Sequence, residues 1–187
     1  LWSGEIGAPE KFTTKGVLSD YSAVTGYVPG DASTDQGTDV QTALNYRIKT
    51  GVIDASGTRR KLIGAVPMQI GNWTQLLYAI RIFGAVGLGV DLPDSAEDQF
   101  ENEMPWDVVK GARSEGGHYI PAVGHNSKNN AVLITWGRDQ AMTQAWYEEY
   151  NDEAYALLSS NGLNKAGLSP EGFDLQTLSA YLKEFTS

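Results

Sequence analysis

Gly116-Gly117-His118-Tyr119-Ile120-Pro121-Ala122-Val123-Gly124 sets a histidine behind two glycines and ahead of an apolar run, and a second apolar run, Ala131-Val132-Leu133-Ile134-Thr135-Trp136-Gly137, follows. Between them Gly124-His125-Asn126-Ser127-Lys128-Asn129-Asn130 is rich in turn formers, so the two runs predict an antiparallel hairpin. His118 opens one strand, and Thr135-Trp136-Gly137 ends the other.

Outward from this hairpin the chain alternates helical and strand patterns. Val17 to Val24 spaces apolar residues as a short helix ending at Gly26. Val40, Ala43, Leu44 and Ile48 mark a second helix that Thr38 or Asp35 would cap. Lys61 to Met68 reads as a strand. Asn72-Trp73-Thr74-Gln75 is a variant capping box opening a helix with Trp73, Leu76, Leu77, Ile80 and Phe83 inward. After Gly84, the residues Val86, Leu88, Val90 and Leu92 alternate in strand period with Gly87, Gly89 and Asp91. Residues 93 to 115 read as an acidic, irregular loop. Met142, Ala145, Trp146 and Glu149 predict a short helix, and Glu153 to Leu158 a closing strand. Beyond a linker-like stretch, Asp174 caps a last helix with Leu175, Leu178, Tyr181, Leu182 and Phe185 inward.

In element order, residues 17 to 158 resemble papain-like cysteine peptidases, and among them small single-domain members encoded by bacteria and phages. The resemblance rests on Gly-Gly-His at 116–118, Thr-Trp-Gly at 135–137, and the run Asp20-Tyr21-Ser22-Ala23-Val24-Thr25-Gly26-Tyr27. It implies an α+β fold with helices packed on a twisted antiparallel sheet, His118 at the base position and Trp136 at the shielding position. It also implies that Thr135-Trp136-Gly137 stands for the end of an Asn-Ser-Trp-Gly motif, with Ile134 in the asparagine's place. The orienting partner of His118 is then a backbone carbonyl or another polar side chain, Asp139 being the nearest carboxylate in sequence. The 187 residues contain no cysteine, and in the family the nucleophile sits on a helix whose tail Leu1-Trp2 resembles, upstream of residue 1.

The net charge of −9 argues against phosphate backbones and anionic lipid as direct partners. No apolar run reaches the ~20 residues of a bilayer span. No metal site is expected. Asp31-x-Ser33-x-Asp35 has the spacing of a calcium loop, but Gln36 and Thr42 stand where glycine and glutamate belong, so a capped polar loop is the expectation. His118 and His125 are an odd number of residues apart, which places them on opposite faces of one strand. Gly87-Leu88-Gly89 follows no strand and opens no helix, so close packing explains it better than a dinucleotide site. Ser114 reads as an ordinary loop serine. Trp106 is open between a core residue and an exposed contact, and the cluster Asp94, Glu97, Asp98, Glu101 and Glu103 reads as a solvated face.

The expected organisation is an arm or helix tail over 1–16, a papain-like domain over 17–158, a linker over 159–172 and an appended C-terminal helix over 173–187. The expected function is a non-catalytic papain-like module acting through protein partners, among them capsid or tail proteins or itself, as a structural or accessory component of a phage particle. This carries no cofactor, no nucleic acid and no membrane. The alternative is a cysteine peptidase or amidase whose cysteine-bearing segment lies upstream of residue 1.

Overall fold

The computed structural model describes residue 7 and residues 9–185; the helix tail read at Leu1-Trp2 lies outside them. The chain divides into two compact units, Leu1–Ala65 with Leu158–Thr177, and Val66–Leu157 with Leu178–Ser187.

The first unit holds α1 (Thr14–Thr25), a 3-10 turn (Ala32–Thr34), α2 (Val40–Lys49) and the two-stranded sheet of β1 (Val52–Ile53) and β2 (Arg59–Arg60). Thr13 starts α1, its hydroxyl accepting from the Gly16 amide at 3.1 Å. The cap of α2 is Asp39, not Thr38 or Asp35: its carboxylate directly precedes the first helical residue and accepts from the Thr42 amide at 2.8 Å. Asp35 instead accepts from the Tyr21 hydroxyl. Asp31 turns back on Ser33, accepting from its amide at 3.1 Å and its hydroxyl at 2.6 Å, which is how the calcium-like spacing is used.

One buried carboxylate ties these elements together. Asp20 on α1 accepts from the Tyr46 hydroxyl at 2.8 Å, the Ile53 amide at 2.8 Å and the Arg59 guanidinium. Burial by itself raises its pKa, but the Ile53 amide, Arg59 and Tyr46 outweigh that and hold the carboxyl below its ordinary value. Asp20→Ala leaves the Tyr46 hydroxyl and Ile53 amide without their acceptor, and is expected to cost about 1–3 kcal/mol. Urea unfolding checks this, and a variant as stable as the parent contradicts it. The stability that Asp20 contributes is present above the carboxyl's unfolded pKa and fades as the pH falls through its folded value.

The second unit is built on a six-stranded sheet in the order β3-β8-β4-β5-β6-β7, from β3 (Gly64–Pro67), β4 (Val86–Pro93), β5 (Ser114–His125), β6 (Ala131–Thr135), β7 (Arg138–Met142) and β8 (Asn151–Leu158). Each register described in it is antiparallel. The strand read as closing the domain lies inside the sheet, between β3 and β4. Central β4 is buried on both faces, with Val86, Leu88 and Val90 fully covered. Its glycines admit neighbours: a Cβ on Gly87 would lie 2.1 Å from the Tyr119 hydroxyl.

Helix α3 (Trp73–Phe83) packs on β4 and β5, burying Trp73, Leu76, Ala79, Ile80 and Phe83. Asn72 caps it at 3.0 Å through the Gln75 amide, but the Gln75 side chain accepts from the Gln69 amide at 2.7 Å instead of closing the reciprocal box. Helix α5 (Gln144–Tyr150) also packs on β4. The last helix, α6 (Leu175–Glu184), is capped by Asp174 through the Thr177 amide at 2.7 Å. Leu178 and Leu182 are buried, and Phe185 meets Phe83 edge-on at 5.6 Å. Leu175, expected inward, is exposed in the first turn.

Residues 93 to 115 depart from the expected irregular loop. They form α4 (Ser95–Glu101) and a strap pinned to the end of β7, where the Trp106 amide donates to Ala141 O at 2.8 Å and the Thr143 amide to Trp106 O at 3.0 Å. Trp106 is fully buried, and its indole N–H donates to Ala96 O at 2.8 Å. This settles the open reading of Trp106 in favour of the core, because an indole anchored by both ring and backbone stabilises a segment whose surrounding acidic residues disfavour burial.

Candidate active site

Strand alternation decides which side chains meet His118. On β6, Ala131, Leu133 and Thr135 point into the core face while Val132 and Ile134 point away. Thr135 therefore reaches the imidazole, with its hydroxyl 3.0 Å from His118 Nε2. Ile134 pairs across to Asp139 on β7, and Asp139 itself is exposed. The side chain in contact with the imidazole is thus the buried threonine, not the carboxylate nearest in sequence. In the tautomer with the proton on Nε2, Thr135 Oγ1 accepts it and Nδ1 keeps a free lone pair.

Trp136 covers the ring, its indole stacked on the imidazole at 5.5 Å between centroids and 27° between planes. The turn joining β6 and β7 explains how it gets there. Thr135 pairs with Arg138, so the connection is two residues, and both have left-handed backbones, φ 46° at Trp136 and 84° at Gly137. That is the type I′ pattern, which matches the twist of a hairpin but favours Asn, Asp or Gly at its first position. A tryptophan there costs about 1–2 kcal/mol of local strain. Contacts outside the turn offset it: Phe100 meets the indole edge-on at 4.8 Å and Trp106 at 5.8 Å, and Trp106 stacks on Trp146 at 4.7 Å.

His118 is half-buried, and burial pushes its imidazole below the ordinary 6.5. No carboxylate or cation contributes to that shift. Across the sheet it faces Val90 on β4. A neutral imidazole with one nitrogen engaged and the other free is chemically a base, able to take a proton from a thiol brought within hydrogen-bond reach.

The structure thus brings His118, Thr135 and Trp136 together. It leaves His125 exposed at the far end of β5. Ser114 is the first residue of β5, its hydroxyl donating to Asp91 and accepting from the Gly116 amide at 3.2 Å, so it serves the start of the strand. In the acidic cluster, Asp94 is engaged: its carboxylate accepts from the Arg113 amide at 3.1 Å. Among the described residues, no group of three or more His, Asp or Glu side chains is arranged to hold a metal ion. Phe100 and Arg138 escaped the sequence reading. Phe100 sits in an acidic stretch without periodicity, and the only local signal for Arg138 is that it follows Trp-Gly directly.

No family model and no curated protein sequence matches the chain. Among solved structures it is similar to xylellain, a cysteine protease from Xylella fastidiosa, with a TM-score of 0.59 and 12% identity over 77% of this chain and 68% of that one. It is also similar to the cysteine protease CMS1MS2 of Carica candamarcensis, in complex with E-64, with a TM-score of 0.54 and 14% identity over 84% and 96% of the two chains. Digestive procathepsin L 3 of Tenebrio molitor larval midgut gives the same TM-score and identity, over 84% of this chain and 62% of that one. At these identities the likeness speaks for architecture, and it agrees with the α+β arrangement built above: the chain has the fold of the papain-like cysteine proteases.

Proposed function

We propose that this chain carries the imidazole side of a papain-type hydrolytic site, acting as a cysteine peptidase or amidase, with His118 as base, Thr135 as its orienting group and Trp136 as its shield. The observation that carries this reading is the 3.0 Å contact between His118 Nε2 and Thr135 Oγ1 beneath the Trp136 stack. It removes one objection raised by Ile134, because the ring has a partner without the asparagine. Residues 1–187 contain no cysteine, so on this reading the attacking sulfur comes from outside them. The thiol would pass its proton to Nδ1, and the thiolate would add to the carbonyl of a peptide or amide; His118 would then return the proton to the leaving amine.

The absence of cysteine from these residues favours a second reading, a non-catalytic module that works through its surface, such as a structural or accessory component of a phage particle. Met104, Val108, Val109 and Trp136 in the second unit are exposed apolar side chains suited to a protein partner. One experiment separates the two. The natural polypeptide is treated with a thiol-reactive, active-site-directed probe, beside its His118→Ala variant, and labelling is read by intact mass. Labelling abolished by His118→Ala supports the hydrolase. No labelling, or labelling indifferent to His118, overturns it and leaves the interaction module, which should then assemble with itself or with a capsid or tail protein.

A further inference from the structure

We propose that Phe100 and Arg138 are positioning residues for the imidazole: they clamp the Trp136 indole over His118 in a turn conformation that a tryptophan does not favour by itself. The role deepens the reading of His118 as a base and rests on it.

The sequence of the turn gives no reason for Trp136 to hold φ 46°, so the holding force must come from outside the turn. Among the described residues, three rings touch the indole: His118 on a face, and Phe100 and Trp106 edge-on. Trp106 is fully buried and fixed by its own hydrogen bond to Ala96. Phe100 is only half-buried at the end of α4, a helix of seven residues, and needs a brace. Arg138 supplies it. Its guanidinium carbon lies 3.8 Å from the centroid of the Phe100 ring, and one of its nitrogens donates to the Phe100 carbonyl. Arg138 is also the residue that closes the Trp136–Gly137 turn by pairing with Thr135. The hairpin that presents the indole therefore grips the ring that holds it.

The consequence is electrostatic as well as mechanical. The groups described around His118 are Val90 across the sheet, the Thr135 hydroxyl and the Trp136 ring. The charged groups at the clamp are Arg138 and Glu103, 3.9 Å apart, and neither contributes to the imidazole's shift. Burial is the cause of that shift and the stacked indole is one of the groups that bury the ring, so a loosened indole rehydrates the imidazole and eases its protonation.

The chain has two histidines, so side-chain NMR can follow the His118 signals through a titration. Phe100→Leu and Arg138→Met are expected to move the His118 midpoint up toward its ordinary value and to shrink the ring-current shift of its signals. Arg138→Lys, which keeps a cation over the ring but loses the planar fork, should show part of the change. Arg138 is exposed, so Arg138→Met keeps the fold if a buried variant does not. The clamp is overturned if Trp136→Gly raises the His118 midpoint while Phe100→Leu and Arg138→Met leave it in place. Failure of the hydrolase reading looks different: His118-dependent thiol labelling is missing in the parent chain while the titration shifts stand.

Discussion

Replacing Trp106 with alanine is expected to destabilise the second unit by about 3–5 kcal/mol, the range for truncating a fully buried tryptophan. The side chain has no exposed surface. It stacks on Trp146 at 4.7 Å and 29°, touches Trp136 edge-on, and donates its N–H to Ala96 O. Alanine keeps the backbone bonds to Ala141 and Thr143 but removes the ring that links Ala96 on α4, Trp146 on α5 and Trp136 in the β6–β7 turn. Trp106→Phe retains most of the apolar volume and loses the hydrogen bond, so its cost should be smaller. Urea unfolding followed by circular dichroism gives both values. A Trp106→Ala variant within ~1 kcal/mol of the parent would show that the strap between α4 and β7 is peripheral.

On the proposed hydrolase reading, Thr135→Val is expected to lower His118-dependent thiol chemistry by about 10²- to 10⁴-fold, the contribution of a positioned base. Valine copies the shape of threonine and deletes the oxygen that lies 3.0 Å from Nε2, so the tautomer that frees Nδ1 loses its support. Thr135→Ser keeps the oxygen and should retain most of the rate. The measurement is the rate of labelling of the natural polypeptide by the active-site probe. Equal rates in Thr135→Val and the parent would mean that the hydroxyl orients nothing.

The same imidazole gives folding stability a pH dependence with a definite sign. Its folded pKa lies below the ordinary 6.5, so the unfolded chain binds the proton more readily. The stability associated with neutral His118 is fully present above about 6.5 and falls as the pH drops toward the folded value. Comparing unfolding of the parent and His118→Gln across that window isolates the effect.

The hairpin of β5 and β6, the helix capped by Asn72, the alternating β4 and the helix after Asp174 were all legible in the sequence. In each, a short-range period or a capping residue reports the local conformation directly. The glycines of β4 were readable for a related reason: alternating with apolar residues, they mark a strand that neighbours approach closely, Tyr119 at Gly87 and Asp152 and Glu153 at Gly89. The proximity of His118, Thr135 and Trp136 was legible too, from Gly-Gly-His and Thr-Trp-Gly at that separation, and the structure brings these three side chains into contact.

What the sequence by itself determined is therefore local: where strands and helices begin, which faces are apolar, and that His118 and Thr135 lie on neighbouring strands, with Trp136 directly after the second. Tertiary structure decided the rest. Which residue of Ile134 and Thr135 faces the imidazole depends on how β6 is registered against β5 and β7, and a shift of one residue would exchange them. The burial of Trp106 depends on a strap whose hydrogen bonds run to residues more than thirty positions away. The left-handed Trp136 depends on Phe100 and Arg138, drawn from α4 and β7. These contacts join segments with no common period, and a propensity read along the chain carries no information about them. They exist because the packed sheet brings distant side chains within van der Waals reach, where their combined contacts outweigh the strain of a single turn.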